Sequence, residues 1–77
     1  MNDVMIRLKN IKNSQIMEFV FDRRLSFKDN IRVLNIIRED KIDAFLIYDP
    51  IKRIFLDLDV PLERFNINGF MMFDIFA

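Results

Sequence analysis

The chain contains neither cysteine nor histidine. Their absence removes disulfides, thiol nucleophiles, zinc and iron–sulfur ligation, and imidazole acid–base catalysis together. Glycine occurs once and proline twice in 77 residues, which excludes a glycine-rich phosphate loop and any low-complexity linker. Neither sign of charge is in surplus: twelve Lys and Arg balance twelve Asp and Glu. A neutral chain offers no electrostatic case for nucleic acid, whose phosphates are neutralised by excess cations. No apolar run approaches the roughly 18 residues of a membrane span. The longest, Ile67 to Phe76, is interrupted by Asn68 and Asp74. The opening Met1-Asn2-Asp3-Val4 lacks the basic start of a secretory signal, and Asp74-Ile75-Phe76-Ala77 is no lipidation motif. The expected location is therefore cytoplasmic, without membrane insertion. What the chain has in quantity is apolar bulk, with nine Phe and five Met in a composition that is 52% hydrophobic. That describes one small folded domain over residues 1–77, which must bury large side chains to be stable.

Hydrophobic periodicity gives the elements. Val4, Ile6 and Leu8 alternate with Met5, Arg7 and Lys9, the period of a strand with one face on a core. Met17, Phe19 and Phe21 repeat the pattern after the turn formers Asn10 to Ser14, which predicts an antiparallel hairpin. A helix follows from Phe27 to about Glu39. Ser26 is its N-cap, with Asp29 three residues on as the other half of a capping box. Ala44 to Tyr48 and Arg53 to Asp57 read as two short strands around an Asp49-Pro50 turn. Leu62, Phe65 and Ile67 are expected to seat inward. Gly69, the sole glycine, is expected to supply a positive φ before a last strand over Met71 to Phe76. The expected fold is α+β: a mixed sheet of four to five strands with one helix packed on one face.

This order resembles ubiquitin and the β-grasp superfamily over almost the whole chain. The stretch Pro61-Leu62-Glu63-Arg64-Phe65-Asn66-Ile67 is similar to the ubiquitin-type segment before the final strand. Met17, Phe19, Phe21, Ser26 and Phe27 match its hairpin-to-helix spacing. Leu46-Ile47-Tyr48 resembles its apolar third strand. Asn30 departs from the pattern, standing where ubiquitin has an apolar helix residue, with Ile31 taking over one position later. Within the superfamily, the length and the closing Phe73-Asp74-Ile75-Phe76 look most like the YukD/EsaB-type accessory proteins of bacterial type VII secretion. The Ile-, Lys-, Asn- and Asp-rich composition agrees with a low-GC bacterial genome. Conjugated relatives and sulfur carriers need a flexible tail ending in Gly-Gly. If the natural chain ends at Ala77, the resemblance implies a domain that is not conjugated.

No catalytic set is visible. Ser14 and Ser26 have no base to activate them, and nothing places two carboxylates together. Asp57, Asp59 and Glu63 lack the ligand number and tight-turn glycine of a calcium loop, so they read as solvated loop acids. Arg23 and Arg24 read as loop charges rather than a phosphate site. No metal, cofactor or enzymatic activity is expected. The remaining anomaly is apolar residues in excess of one sheet face. With Val4, Ile6, Met17, Phe19, Phe21, Leu46, Phe73 and Ile75 turned to the helix, Met5, Ile16, Val20, Ile47, Met72 and Phe76 turn away from it. These six are the candidate protein-interaction patch. The expected function is a non-catalytic ubiquitin-like protein–protein interaction module, with a secretion-system component as its partner. The alternatives are a self-associating homodimeric β-grasp module of an unrelated pathway and a truncated sulfur-carrier or modifier protein.

Overall fold

The computed structural model describes residues 2–65, 67 and 71–77. The first strand, β1 (Asp3–Asn10), pairs antiparallel with β2 (Ile16–Asp22), so that Val4 faces Phe21, Ile6 faces Phe19 and Leu8 faces Met17. The connecting turn is closed by its own side chains. Asn10 Oδ1 accepts from the Lys12 N–H and Asn13 Oδ1 from the Gln15 N–H, both at 2.9 Å, while Ser14 takes a left-handed φ of 59°. The Gly69 expectation lies outside the described residues.

The helix α1 (Phe27–Val33) starts where the sequence places it and stops sooner. Ser26 Oγ accepts from the Asp29 N–H at 3.1 Å, which is one half of the expected capping box. The Asp29 carboxylate pairs with Arg32 at 3.1 Å. The expected continuation to about Glu39 is overturned by a Schellman cap. Asn35 takes a left-handed φ of 54°, its N–H donates to the Arg32 carbonyl, and the Ile36 N–H donates to the Ile31 carbonyl, both at 3.1 Å. Ile36 then packs against the core as the cap's apolar partner. The β-branched Ile36 and Ile37, poor in a helix interior, thus lie beyond its end. A 3-10 turn over Glu39–Lys41 follows.

Strands β3 (Leu46–Asp49) and β4 (Ile54–Phe55) form the second hairpin. The buried Asp49 carboxylate accepts from the Ile51 and Lys52 N–H groups, as its turn position requires. β4 is only two residues of the five expected. A 3-10 turn at Leu62–Arg64 and the last strand, β5 (Met71–Phe76), complete the order. β5 lies between β1, to which it runs parallel, and β3, to which it runs antiparallel, and the sheet order is β2-β1-β5-β3-β4.

The core sits between α1 and one sheet face. Phe27 is wedged edge-on between Phe21, at 5.7 Å between ring centroids, and Phe73, at 5.4 Å. One helical side chain therefore ties the first hairpin to the last strand. Leu62 and Ile67 are buried and Phe65 is half-buried, as expected. The segment carrying Leu62 is strapped to the β2–α1 loop by backbone bonds, Leu62 N–H to Leu25 carbonyl at 3.0 Å and Glu63 N–H to Arg23 carbonyl at 2.8 Å.

Asn30 is buried, although helical spacing sets it with the polar residues of α1, and it is the resemblance to ubiquitin that expects an apolar residue there. Its Oδ1 accepts from the Asp22 N–H at 2.7 Å. Its Nδ2 donates among the carbonyls of Asp22 at 3.0 Å, Ser26 at 2.9 Å and Leu25 at 3.3 Å. One amide thus satisfies the end of β2 and the loop into the helix, groups partly withdrawn from water. Asn30→Ala should lower stability by about 2–3 kcal/mol in urea unfolding, because buried donors and acceptors lose their partner. Asn30→Leu should not restore it, and wild-type stability of the leucine variant would show that the amide is dispensable.

Asp22 also receives the Arg24 side chain, at 2.8 Å, and the Arg24 backbone N–H, at 2.9 Å. These bonds, the side-chain one first, hold its carboxyl below the usual aspartate value. With the folded value depressed, the stabilisation is complete above the ordinary carboxylate range and is lost as pH falls through the folded value. NMR titration of Arg24→Ala should show the Asp22 carboxyl protonating at higher pH than in wild type.

Candidate functional site

The helix covers one face of the sheet, and the residues of the other face follow from the strand registers. Directly paired residues project to the same side. On β1 and β2 the outward pairs are Met5 with Val20, Arg7 with Glu18, and Lys9 with Ile16. Continuing across, Arg7 neighbours Met72 and Lys9 neighbours Asp74 on β5. Beyond β5, Phe76 pairs with Leu46 and Asp74 with Tyr48, and Tyr48 pairs with Phe55 on β4.

Five of the six predicted patch residues lie on this face, where Ile16, Val20, Met72 and Phe76 are exposed and Met5 is half-buried. Ile47 is a correction. It is 0% exposed and belongs to the core, whereas Leu46, assigned inward by the sequence reading, is 53% exposed. The cause is the register of β3 on β5: Ile47 stands opposite the inward Ile75 and Leu46 opposite the outward Phe76. Since side chains alternate strictly, one residue of phase error exchanges the two faces. Phe45, Ile47 and Asp49 are all buried, and they form the inward phase of this segment.

The outer face is not one apolar field. Met5 and Val20 form a small group on the first hairpin. A polar stripe follows, with the Arg7–Glu18 ion pair at 3.0 Å and then Lys9 and Asp74. On the far side Phe76, Leu46, Tyr48 and Phe55 gather. The Tyr48 and Phe55 rings lie 5.0 Å apart and the Phe55 and Phe76 rings 5.9 Å apart. Phe55, at 57% exposure, is the most open of the three. Tyr48 and Phe55 escaped the sequence reading as patch residues. The signal was present in the Asp49-Pro50 turn, because a hairpin closed there sets the residue before Asp49 against β4.

The candidate acids do not assemble. Asp57 Oδ1 accepts from the Asp59 N–H, and Asp59 shares Lys28 with Asp43 at 3.5 and 3.4 Å. Among the described residues no group of three or more acids is placed to hold a metal. No helix among them is long and apolar enough to cross a membrane.

No protein-family model matches the chain, and no curated protein does. Solved structures do. The solution NMR structure of a ubiquitin-like domain from Arabidopsis thaliana is similar to it over the whole chain and 79% of that domain, at a TM-score of 0.75 and 18% identity. A structure reported under molecular mimicry of SUMO in promoting DNA repair is similar over the whole chain and 94% of its own, at a TM-score of 0.75 and 8% identity. At such identities the likeness is one of fold. The protein has the ubiquitin-like β-grasp fold, with a five-stranded mixed sheet and one helix.

The phase of β3 is open to direct test. Ile47→Ala should cost about 2–4 kcal/mol in chemical denaturation, as a buried truncation. Leu46→Ala should cost less than about 1 kcal/mol, as an exposed one. Equal costs would show that the strand is misregistered.

Proposed function

We propose that this domain is a non-catalytic protein-recognition module whose outer sheet face binds a protein partner, with Phe76, Leu46, Tyr48 and Phe55 as the centre of contact. One observation carries the reading: the Phe55 ring packs against both Tyr48 and Phe76 on a sheet face that the helix leaves uncovered. Clustered aromatics of this kind supply most of the energy in protein interfaces, because they bury much area at little conformational cost. The polar stripe of Arg7, Glu18, Lys9 and Asp74 suits the rim of such a contact, where charges orient a partner. Met5, Ile16, Val20 and Met72 lie across that stripe and form the periphery.

The resemblance to YukD/EsaB-type proteins supplies the setting. We take the domain to be an accessory or regulatory component of a type VII-like secretion system in the bacterial cytoplasm, acting by contact. Its partner is then a component of that system. Self-association through the same face is the competing use.

The Leu46→Glu/Phe55→Glu variant should keep its circular dichroism melt within a few degrees of wild type, since both side chains are exposed. It should lose the partner that wild type captures and that rebinds when purified. Retained binding would remove the outer face from the function. Light scattering from micromolar to millimolar concentration should show a monomer, and a dimer dispersed by the double variant would assign the face to a second copy.

A further inference from the structure

Where the chain leaving α1 meets the β1–β2 turn and the residue after β5, five pieces of chain line a cleft of about 440 Å³. Its lining is Lys12 from the β1–β2 turn, Ile36, Ile37 and Arg38 from the chain leaving α1, Lys41 from the 3-10 turn, Ala44 before β3, and Ala77 after β5. The size falls within the range of about 300–1,000 Å³ typical of ligand sites. Ile36 and Ile37 form its apolar floor, resting on the core and only partly covered. The charged side chains of the lining are all cations. Among the described residues Lys12 and Lys41 make no ion pair, and Arg38 reaches Asp40 at 2.9 Å with its own side chain 80% exposed.

We propose that this cleft binds an acidic–apolar peptide segment, with an aliphatic side chain on Ile36 and Ile37 and flanking carboxylates on Lys12, Arg38 and Lys41. Each half of that description has its own cause. An isoleucine floor beneath an open cleft gains by excluding water under an apolar side chain, and only an apolar group does this. The cations around that floor, of which Lys12 and Lys41 make no ion pair among the described residues, gain from carboxylates and repel basic segments. They stand on two separate segments, residue 12 and residues 38–41, so one carboxylate does not serve them all, whereas a chain with acids on both sides of its apolar centre does. Nucleic acid fits poorly, because among the described residues the cleft offers no aromatic ring for a base to stack upon.

The site is distinct from the outer face and is tested separately from it. The probe is a fluorescein-labelled octapeptide with a Leu-Leu centre flanked by three aspartates on each side, followed by fluorescence anisotropy. Wild type and the Leu46→Glu/Phe55→Glu variant should bind it alike. Lys12→Glu/Lys41→Glu should keep the wild-type melting temperature, both side chains being exposed, and bind about tenfold or more weakly, the loss of two exposed ion pairs. The same peptide with a Ser-Ser centre should bind as weakly to wild type. Absent binding by wild type, unchanged affinity of the lysine double variant, or equal affinity for the serine peptide would each overturn the proposal. So would binding of decanoate with no binding of the peptide, which would make the cleft a fatty-acid site.

Discussion

A helix of seven residues has about two turns, too few to stand alone in water or to cover more than one side of a five-stranded sheet. Much else in the molecule answers that shortage. Phe27 and Ile31 must do the docking, and Phe27 does it by meeting Phe21 and Phe73 edge-on, so that the hairpin and the last strand share a single wedge. The ends of so short an element form most of its length. Ser26, Asn30 and the left-handed Asn35 therefore carry the helix as much as its apolar stripe does.

The same shortage leaves the opposite face bare. In a domain of this size apolar residues are needed in numbers, and the strands cannot all turn them inward. Those that remain outside are sorted: a small aliphatic group on the first hairpin, a charged stripe through the sheet centre, and the aromatic group at β5, β3 and β4. The stripe interrupts what would otherwise be a continuous apolar sheet face, the arrangement most prone to non-specific association. Selective recognition through the aromatic group is consistent with that partition.

Asn30 shows how a polar residue in a short helix acquires meaning in three dimensions. Read along the chain, it is a polar residue at a position where the resemblance to ubiquitin expects an apolar one. In the fold it replaces water for the backbone at the end of β2 and in the loop that follows, and Ile31 turns to the core in its stead. The pattern and its exception are both local in sequence. The groups Asn30 serves lie four to eight residues away, within the span that a loop folds back.

Local signals were enough for β1, β2 and β5, because one phase of each carries large apolar residues throughout its paired length, even where the other phase is mixed. The N-cap at Ser26 and the Asp49 turn are likewise written in side chains that bond to their own neighbouring backbone. From these came the element order and with it the β-grasp architecture. Tertiary structure decided the rest. Ala44 to Tyr48 is apolar in both phases, so only pairing with β5 chose Ile47 for the core and Leu46 for the surface. The helix ended early because Asn35 took a left-handed turn that seats Ile36 on the core, a packing gain invisible to helical periodicity. The aromatic cluster required β3, β4 and β5 to lie side by side, and the cationic cleft required three stretches distant in sequence, residues 12, 36–44 and 77, to converge. Short-range bonding is set by the chain's own neighbours, whereas faces and clefts exist only once remote residues are brought side by side.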